Sequence, residues 1–95
     1  MTELTAQSQR LTPIAARRAD AGRLLAIMTN PVMKEQVRLA MRDLEEAHAW
    51  STQPNFENRP HLQTFVDLIL SLATWRLKLV QRALSTYGHD AKLIG

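Results

Sequence analysis

The sequence predicts an all-α protein, a three-helix bundle with a long C-terminal third helix. Three prolines, Pro13, Pro31 and Pro60, each open a segment in which apolar residues recur three and four positions apart. Proline is favoured at the first helical position, because its missing N–H would have no helical partner there, and Thr12 and Asn30 can cap the first two segments. This spacing of apolar residues is typical of amphipathic helices.

The predicted organisation is one helical domain with a short segment at each end. We expect a flexible polar arm at residues 1–11, a helical domain at residues 12–88 and a C-terminal tail at residues 89–95. Gly88 is suited to end the third helix, because glycine readily adopts the left-handed conformation found after a last helical turn. The predicted helices span about residues 13–28, 31–50 and 60–87.

The first helix has a narrow apolar face and a glycine in its middle. Gly22 costs up to about 1 kcal/mol relative to alanine, or it permits close approach of a neighbouring helix. A constant helical pitch through Pro31 would leave the apolar faces of helices 1 and 2 out of phase, which favours two separate helices. The residues predicted to face inward from helix 1 are Ile14, Ala21, Leu25 and Met28, flanked by Leu24.

Helices 2 and 3 are predicted to form an antiparallel hairpin, because the loop at residues 51–59 is short. Phe56 is the one large apolar residue in this loop, and we expect it to close the end of the core. The apolar face of helix 2 fits the helical template closely. It consists of Met33, Val37, Ala40, Met41, Leu44, Ala47 and His48.

Helix 3 has a wider apolar surface than one neighbouring helix can cover, since a single contact needs a stripe little more than 100° wide. Two adjacent stripes are visible. The first is Leu62, Phe65, Ile69, Leu72, Leu79, Ala83 and Tyr87, and the second is Val66, Leu70, Ala73, Leu77, Val80 and Leu84. We expect the second stripe and Trp75 to remain uncovered, which predicts a dimer or a partner-bound protein.

The candidate interface residues lie on helices 2 and 3. Trp50 shares a secondary apolar line with Leu39 on helix 2, and Trp75 lies beside the main stripe of helix 3. Extra apolar lines of this kind are typical of a second contact surface. The candidates are Trp75, Arg76, Leu77, Trp50 and Leu39.

Arg76 interrupts the apolar surface of helix 3, and a charge in that position needs a partner or a route to solvent. In one interpretation its stem packs while its guanidinium pairs with an acid of helix 2, such as Asp43 or Glu46. In the other it fixes the register of an interface or recognises a partner, since arginine is enriched at interfaces. The sequence leaves both open.

Composition and charge exclude some classes of function. The longest apolar segment contains Asp67, Arg76 and Lys78, which argues against a membrane span. The N-terminus has no basic region followed by an apolar one, so we expect no secretory signal and a cytoplasmic location. The sequence contains no cysteine, no glycine-rich phosphate loop and no serine beside a histidine and an acid. Because these are features that would indicate catalysis, we expect a non-enzyme without a cofactor.

Nucleic-acid binding is the alternative that the charge allows. The formal net charge is +3, and the basic residues near the N-terminus are Arg10, Arg17, Arg18 and Arg23. A nucleic-acid-binding protein usually has a dense basic patch or stripe, and these four residues are the nearest approach to one.

A metal site is the third possibility. Glu45 and His48 have the Glu-x-x-His spacing that places a carboxylate and an imidazole on one helix face in di-iron bundles. Such a site needs further carboxylates, which helices 1 and 3 supply only from polar faces, so a metal ion would have to be bound between subunits. The function that the sequence favours over these alternatives is that of a small non-catalytic protein–protein interaction module. We expect it to bind itself or another protein and to serve as an adaptor, assembly or regulatory factor.

Overall fold

The computed structural model of the protein describes residues 5–86, which form three α-helices, one short 3-10 helix and no strand. The prediction of an all-α protein with three helices is confirmed. The predicted end of helix 3 at residues 87 and 88, the tail at residues 89–95 and the first four residues of the arm lie outside the described residues. The helices are α1 (Ala6–Ile27), α2 (Pro31–Ser51), the 3-10 helix (Phe56–Asn58) and α3 (Pro60–Thr86).

Helix α1 begins at Ala6, so the predicted start at Pro13 is wrong, and residues 6–11 are helical where an arm was expected. The true cap is Thr5. The Ser8 N–H donates to the Thr5 hydroxyl at 3.0 Å, and the Thr5 N–H donates to the Ser8 hydroxyl at 3.0 Å. This reciprocal pair is a capping box, which satisfies backbone donors that have no partner within the helix.

Contacts with distant parts of the chain hold the first turns of α1. The Ala6 and Gln7 N–H groups donate to the two carboxylate oxygens of Glu57, at 2.7 and 2.8 Å. Arg10 forms an ion pair with Asp67 of α3, with 2.9 Å between Nε and Oδ1. A proline inside a helix costs about 3 kcal/mol, and these contacts stabilise the helix on the N-terminal side of Pro13 against that cost.

Helices α1 and α2 are separate, as predicted. Met28 follows the end of α1 with an extended backbone, at φ −85° and ψ 141°. Asn30 caps α2, its side-chain oxygen accepting hydrogen bonds from the N–H groups of Val32 at 2.9 Å and Met33 at 3.1 Å. Pro31 occupies the first helical turn, where it loses no hydrogen bond.

The three helices share an apolar core in two clusters. Phe56 is buried between α1, α2 and α3, which confirms that it closes one end of the core. Fully buried alanines on all three helices leave room for the neighbouring side chains and allow close packing. One cluster contains Ala21, Leu24, Met28, Val37, Ala40, Leu44, Ala73, Leu77 and Val80, and the other contains Ile14, Ala47, Phe56 and Val66.

Gly22 faces open space. A methyl group added at this position would meet no heavy atom of a neighbouring element within 4 Å, so the suggestion that Gly22 permits a close helix approach is wrong. Leu24 is buried while Leu25 is only partly buried, which shifts the inward face of α1 slightly from the predicted one.

Replacing Glu57 with glutamine should loosen the N-terminal turns of α1. The hydrogen bonds from Gln7 and Ala6, with lesser help from Thr5 and Arg10, hold the pKa of Glu57 below its ordinary value against the opposing effect of desolvation. The carboxylate therefore favours the folded state above a pH of about 4.3, and this contribution is lost as the pH falls through the lowered pKa.

Hydrogen exchange measured by NMR checks this prediction. In Glu57→Gln the amide protons of Ala6 and Gln7 should exchange faster, while the amide of Leu44 in the core should not change. Glu45→Gln alters an exposed carboxylate of α2 and is the matched control. Unchanged protection at Ala6 and Gln7 would show that Glu57 does not anchor this end of the helix.

Candidate functional site

Five large apolar side chains are exposed along one face of α3, and we call them the α3 stripe. Their exposed fractions lie between 42% and 64%. They are three and four positions apart in alternation, which is the spacing of residues on one contact face of a helix, and they extend over about 21 Å. The α3 stripe consists of Phe65, Leu68, Leu72, Trp75 and Leu79.

The neighbouring apolar face of α3 packs into the core. Val66, Ala73, Leu77 and Val80 are buried, so the expectation that this second stripe would remain uncovered is wrong. Leu77 is only 2% exposed and belongs to the core, so it is not available as an interface residue. The face that packs is the one with Ala73 at its centre, where a small side chain lets the neighbouring helices approach.

The α3 stripe continues onto the end of α2. The ring of Trp50 packs edge-on against Phe65, with 5.9 Å between ring centroids, and Trp50 remains 37% exposed. Trp75 is 56% exposed near the other end of the stripe. Leu39 is half-buried. Of the apolar interface candidates, the two tryptophans therefore lie at the surface, while Leu39 is intermediate.

Arg76 lies between the α3 stripe and α2. Its Nη1 donates to Oε1 of Gln36 at 2.9 Å, and its Nε lies 3.6 Å from Oδ2 of Asp43. The longer distance makes an ion pair but not a hydrogen bond, and neither of these two buried atoms has a hydrogen-bond partner. Arg76 thus has the intramolecular acidic partner that one interpretation of the sequence expected. The alternative acid, Glu46, instead accepts from the indole of Trp50 at 3.4 Å.

The contacts between α2 and α3 have the order expected of an antiparallel pair. Trp50, at the end of α2, contacts Phe65 near the start of α3. Asp43 and Gln36, earlier in α2, contact Arg76 later in α3. Residue numbers therefore fall along α2 as they rise along α3.

The four N-terminal arginines do not form a free basic patch. Arg10 forms an ion pair with Asp67, and its Nη1 donates a hydrogen bond to the carbonyl of Ala6 at 3.0 Å. Its guanidinium carbon also lies 5.6 Å from the centroid of the Phe56 ring. Arg17 and Arg23 both contact Asp20, and Arg18 is exposed without an acidic partner among residues 5–86. Arg10 is therefore held within the fold, whereas Arg17 and Arg23 share one carboxylate at the surface.

Neither a metal centre nor a membrane span is found in the part of the chain that the structure describes. Glu45 and His48 are exposed on α2, and no group of three or more potential ligands among histidine, aspartate and glutamate lies close enough to hold a metal ion in residues 5–86. Within the same range, no helix combines the length and the apolar composition that crossing a bilayer requires.

An open cleft lies at the start of α3, next to the α3 stripe. It is lined by residues 58–62 and by Phe65, which belongs to the stripe as well. Pro60 and Leu62 give it apolar walls, and it opens widely to solvent. The apolar surface therefore ends in a concave region rather than at a flat edge.

Comparison of the chain with protein-family models, with curated protein sequences and with solved structures finds no match. Function is therefore inferred from the surface itself. Sequence reasoning overlooked Leu68, although its position between Phe65 and Leu72 completes the alternating spacing. The wide apolar arc of α3 concealed this pattern, because the buried face supplies equally regular spacings.

Replacing Arg76 with methionine should destabilise the fold by about 1–3 kcal/mol, because the partly buried Asp43 loses its cation. Chemical denaturation of Arg76→Met, Asp43→Asn and the double variant measures this, and we expect the double variant to lose less than the sum of the two single effects. Arg42→Met removes an exposed arginine of α2 and is the control. Strictly additive effects would show that the ion pair does not couple α2 to α3.

Proposed function

We propose that this protein is a small non-catalytic interaction module, serving as an adaptor, assembly or regulatory factor, that binds protein through the α3 stripe. The supporting observation is the stripe itself. Five large side chains at these exposures present on the order of 500 Å² of apolar surface, near the upper end of the largest patch on a typical monomer. Larger or similar patches of this kind commonly mark binding sites.

In this proposal the three helices form a bundle in which α2 and α3 are an antiparallel hairpin. The shared core and the order of the α2–α3 contacts support this arrangement. Helices α1 and α2 then together cover the face of α3 that contains Ala73 and Leu77. The α3 stripe remains on the outside, where a further helix can complete the packing.

The energy of binding is expected to come from the aromatic residues of this surface. Tryptophan and tyrosine are the residues that most often dominate interfaces, particularly near their centre. Trp75 is more than half exposed and therefore has a large area to bury. A partner helix would bury Leu68 and Leu72 beside it, and full burial of one such side chain contributes about 1.5–3 kcal/mol.

The proposal includes no catalysis and no cofactor. Three acidic residues serve the fold: Glu57 caps α1, Asp67 pairs with Arg10, and Asp43 lies beside Arg76. The partner is a second copy of the chain, another protein, or both. A cytoplasmic location stays a prediction from the sequence.

A charged variant of the α3 stripe should lose protein binding and keep its fold. Leu68→Lys/Trp75→Lys adds two cations to the stripe, whereas Gln81→Lys/Ser85→Lys adds two to exposed positions on the polar side of α3. The wild type and both variants are compared. Sedimentation velocity measures self-association, and capture of other proteins on the immobilised wild type or variant measures binding to partners.

We expect the control variant to bind like the wild type and the stripe variant to lose binding, because lysine cannot be buried there without a partner charge. In dilute protein, where association contributes little, circular dichroism should give similar melting temperatures for both variants, since all four positions are exposed. If both variants bind like the wild type, the α3 stripe is not a binding surface.

A further inference from the structure

We infer that a second copy of this chain covers the α3 stripe, with the two α3 helices antiparallel and crossing at Leu72. This inference rests on the proposed function, in which the α3 stripe is a binding surface. It adds the identity of the partner, the direction of its helix and the residues that meet.

The α3 stripe is nearly symmetric about Leu72. Phe65 and Leu79 are each seven positions from it, while Leu68 and Trp75 lie four and three positions away. A two-fold axis perpendicular to α3 at Leu72 therefore superimposes the stripe on that of another copy, which is the requirement for a self-complementary dimer interface.

The sizes of the side chains favour the antiparallel direction. Around the axis at Leu72, Phe65 of one copy lies opposite Leu79 of the other, and Trp75 lies one position from the point opposite Leu68. Every aromatic ring then meets a leucine, which gives the alternation of large and small side chains that fills an interface evenly. In the parallel direction Trp75 would meet Trp75 and Phe65 would meet Phe65.

The charges of α3 favour the same direction. Lys78 and Arg82 lie in its second half, and neither has an acidic partner within residues 5–86. In its first half the charge of Asp67 is already paired with Arg10. Parallel helices would place two basic halves side by side, with Arg82 continuing the spacing of the stripe and facing its own copy. Antiparallel helices separate these like charges.

The available area is sufficient for a dimer. Two stripes facing each other bury about 1,000 Å² in total, close to the lower limit for a specific interface. Trp50 on α2, which contacts Phe65, is also exposed and enlarges the apolar surface. The cleft beside Phe65 lies where Leu79 of the second copy would pack, so the concave end of the stripe receives a side chain.

Cysteine cross-linking tests the direction, because the chain contains no cysteine of its own. Phe65→Cys and Leu79→Cys are prepared separately, distinguished by mass and mixed before mild oxidation. A disulfide needs Cα atoms within about 7 Å. In the antiparallel dimer two copies of position 65 are separated by about 21 Å along the helix, while positions 65 and 79 are opposite.

We expect the mixed disulfide dimer to be the main product. Neither Phe65→Cys nor Leu79→Cys should form a disulfide with another copy of itself. Leu72→Cys should link to itself, and Gln81→Cys on the polar side should not link. Self-linking of Phe65→Cys and of Leu79→Cys would overturn the antiparallel direction, and so would a dimer in solution that forms no mixed disulfide.

A wild-type protein that stays monomeric at every concentration would overturn the inference of a second copy. If another protein still binds wild type and not Leu68→Lys/Trp75→Lys, the proposed function stands and only the identity of the partner is wrong. If no protein binds in a stripe-dependent way, both are wrong.

Discussion

The structure depends on one property of α3: its apolar residues occupy more of the helix surface than α1 and α2 cover. The face with Val66, Ala73 and Leu77 is buried and supplies α3's part of the core. The neighbouring α3 stripe contributes little to that core. Folding and binding are therefore assigned to different faces of the same helix, and a substitution can affect one without the other.

Long-range contacts complete the fold around this helix. Arg10 joins α1 to α3 through Asp67, Glu57 caps α1 from the loop after α2, and Arg76 joins α3 to Asp43 and Gln36. Each contact connects residues more than thirty positions apart. They hold the N-terminal turns of α1 and the contact between α2 and α3.

The features that sequence reasoning predicted correctly are local ones. Asn30 and Pro31 mark the start of α2 because the cap and the proline act within one helical turn. Phe56 could be assigned to the core because it is the only large apolar residue in a polar loop. The start of α1 was missed, because Glu57 and Asp67 stabilise the turns before Pro13 and lie far away in the sequence.

The candidate surface was predicted only in part. Helical periodicity shows that α3 has two adjacent apolar stripes, but it does not show which one the neighbouring helices cover. Leu77 was therefore assigned to the interface although it is buried, and Leu68 was missed although it is exposed. Trp75 was identified because its position lies off the main stripe. The distinction between core and surface requires the packing of α1 and α2.

The most direct test of this division of α3 is the dependence of the melting temperature on protein concentration. Stability contributed by association increases with concentration, whereas stability contributed by the fold does not. We expect the melting temperature of the wild type to rise with concentration. A triple variant of the α3 stripe, Leu68→Gln/Leu72→Gln/Trp75→Gln, should have a melting temperature that is independent of concentration and equal to that of the dilute wild type. A core variant, Leu44→Ala, should lose about 2–5 kcal/mol at all concentrations. The account would be contradicted by a wild type without concentration dependence and a stripe variant destabilised as much as Leu44→Ala.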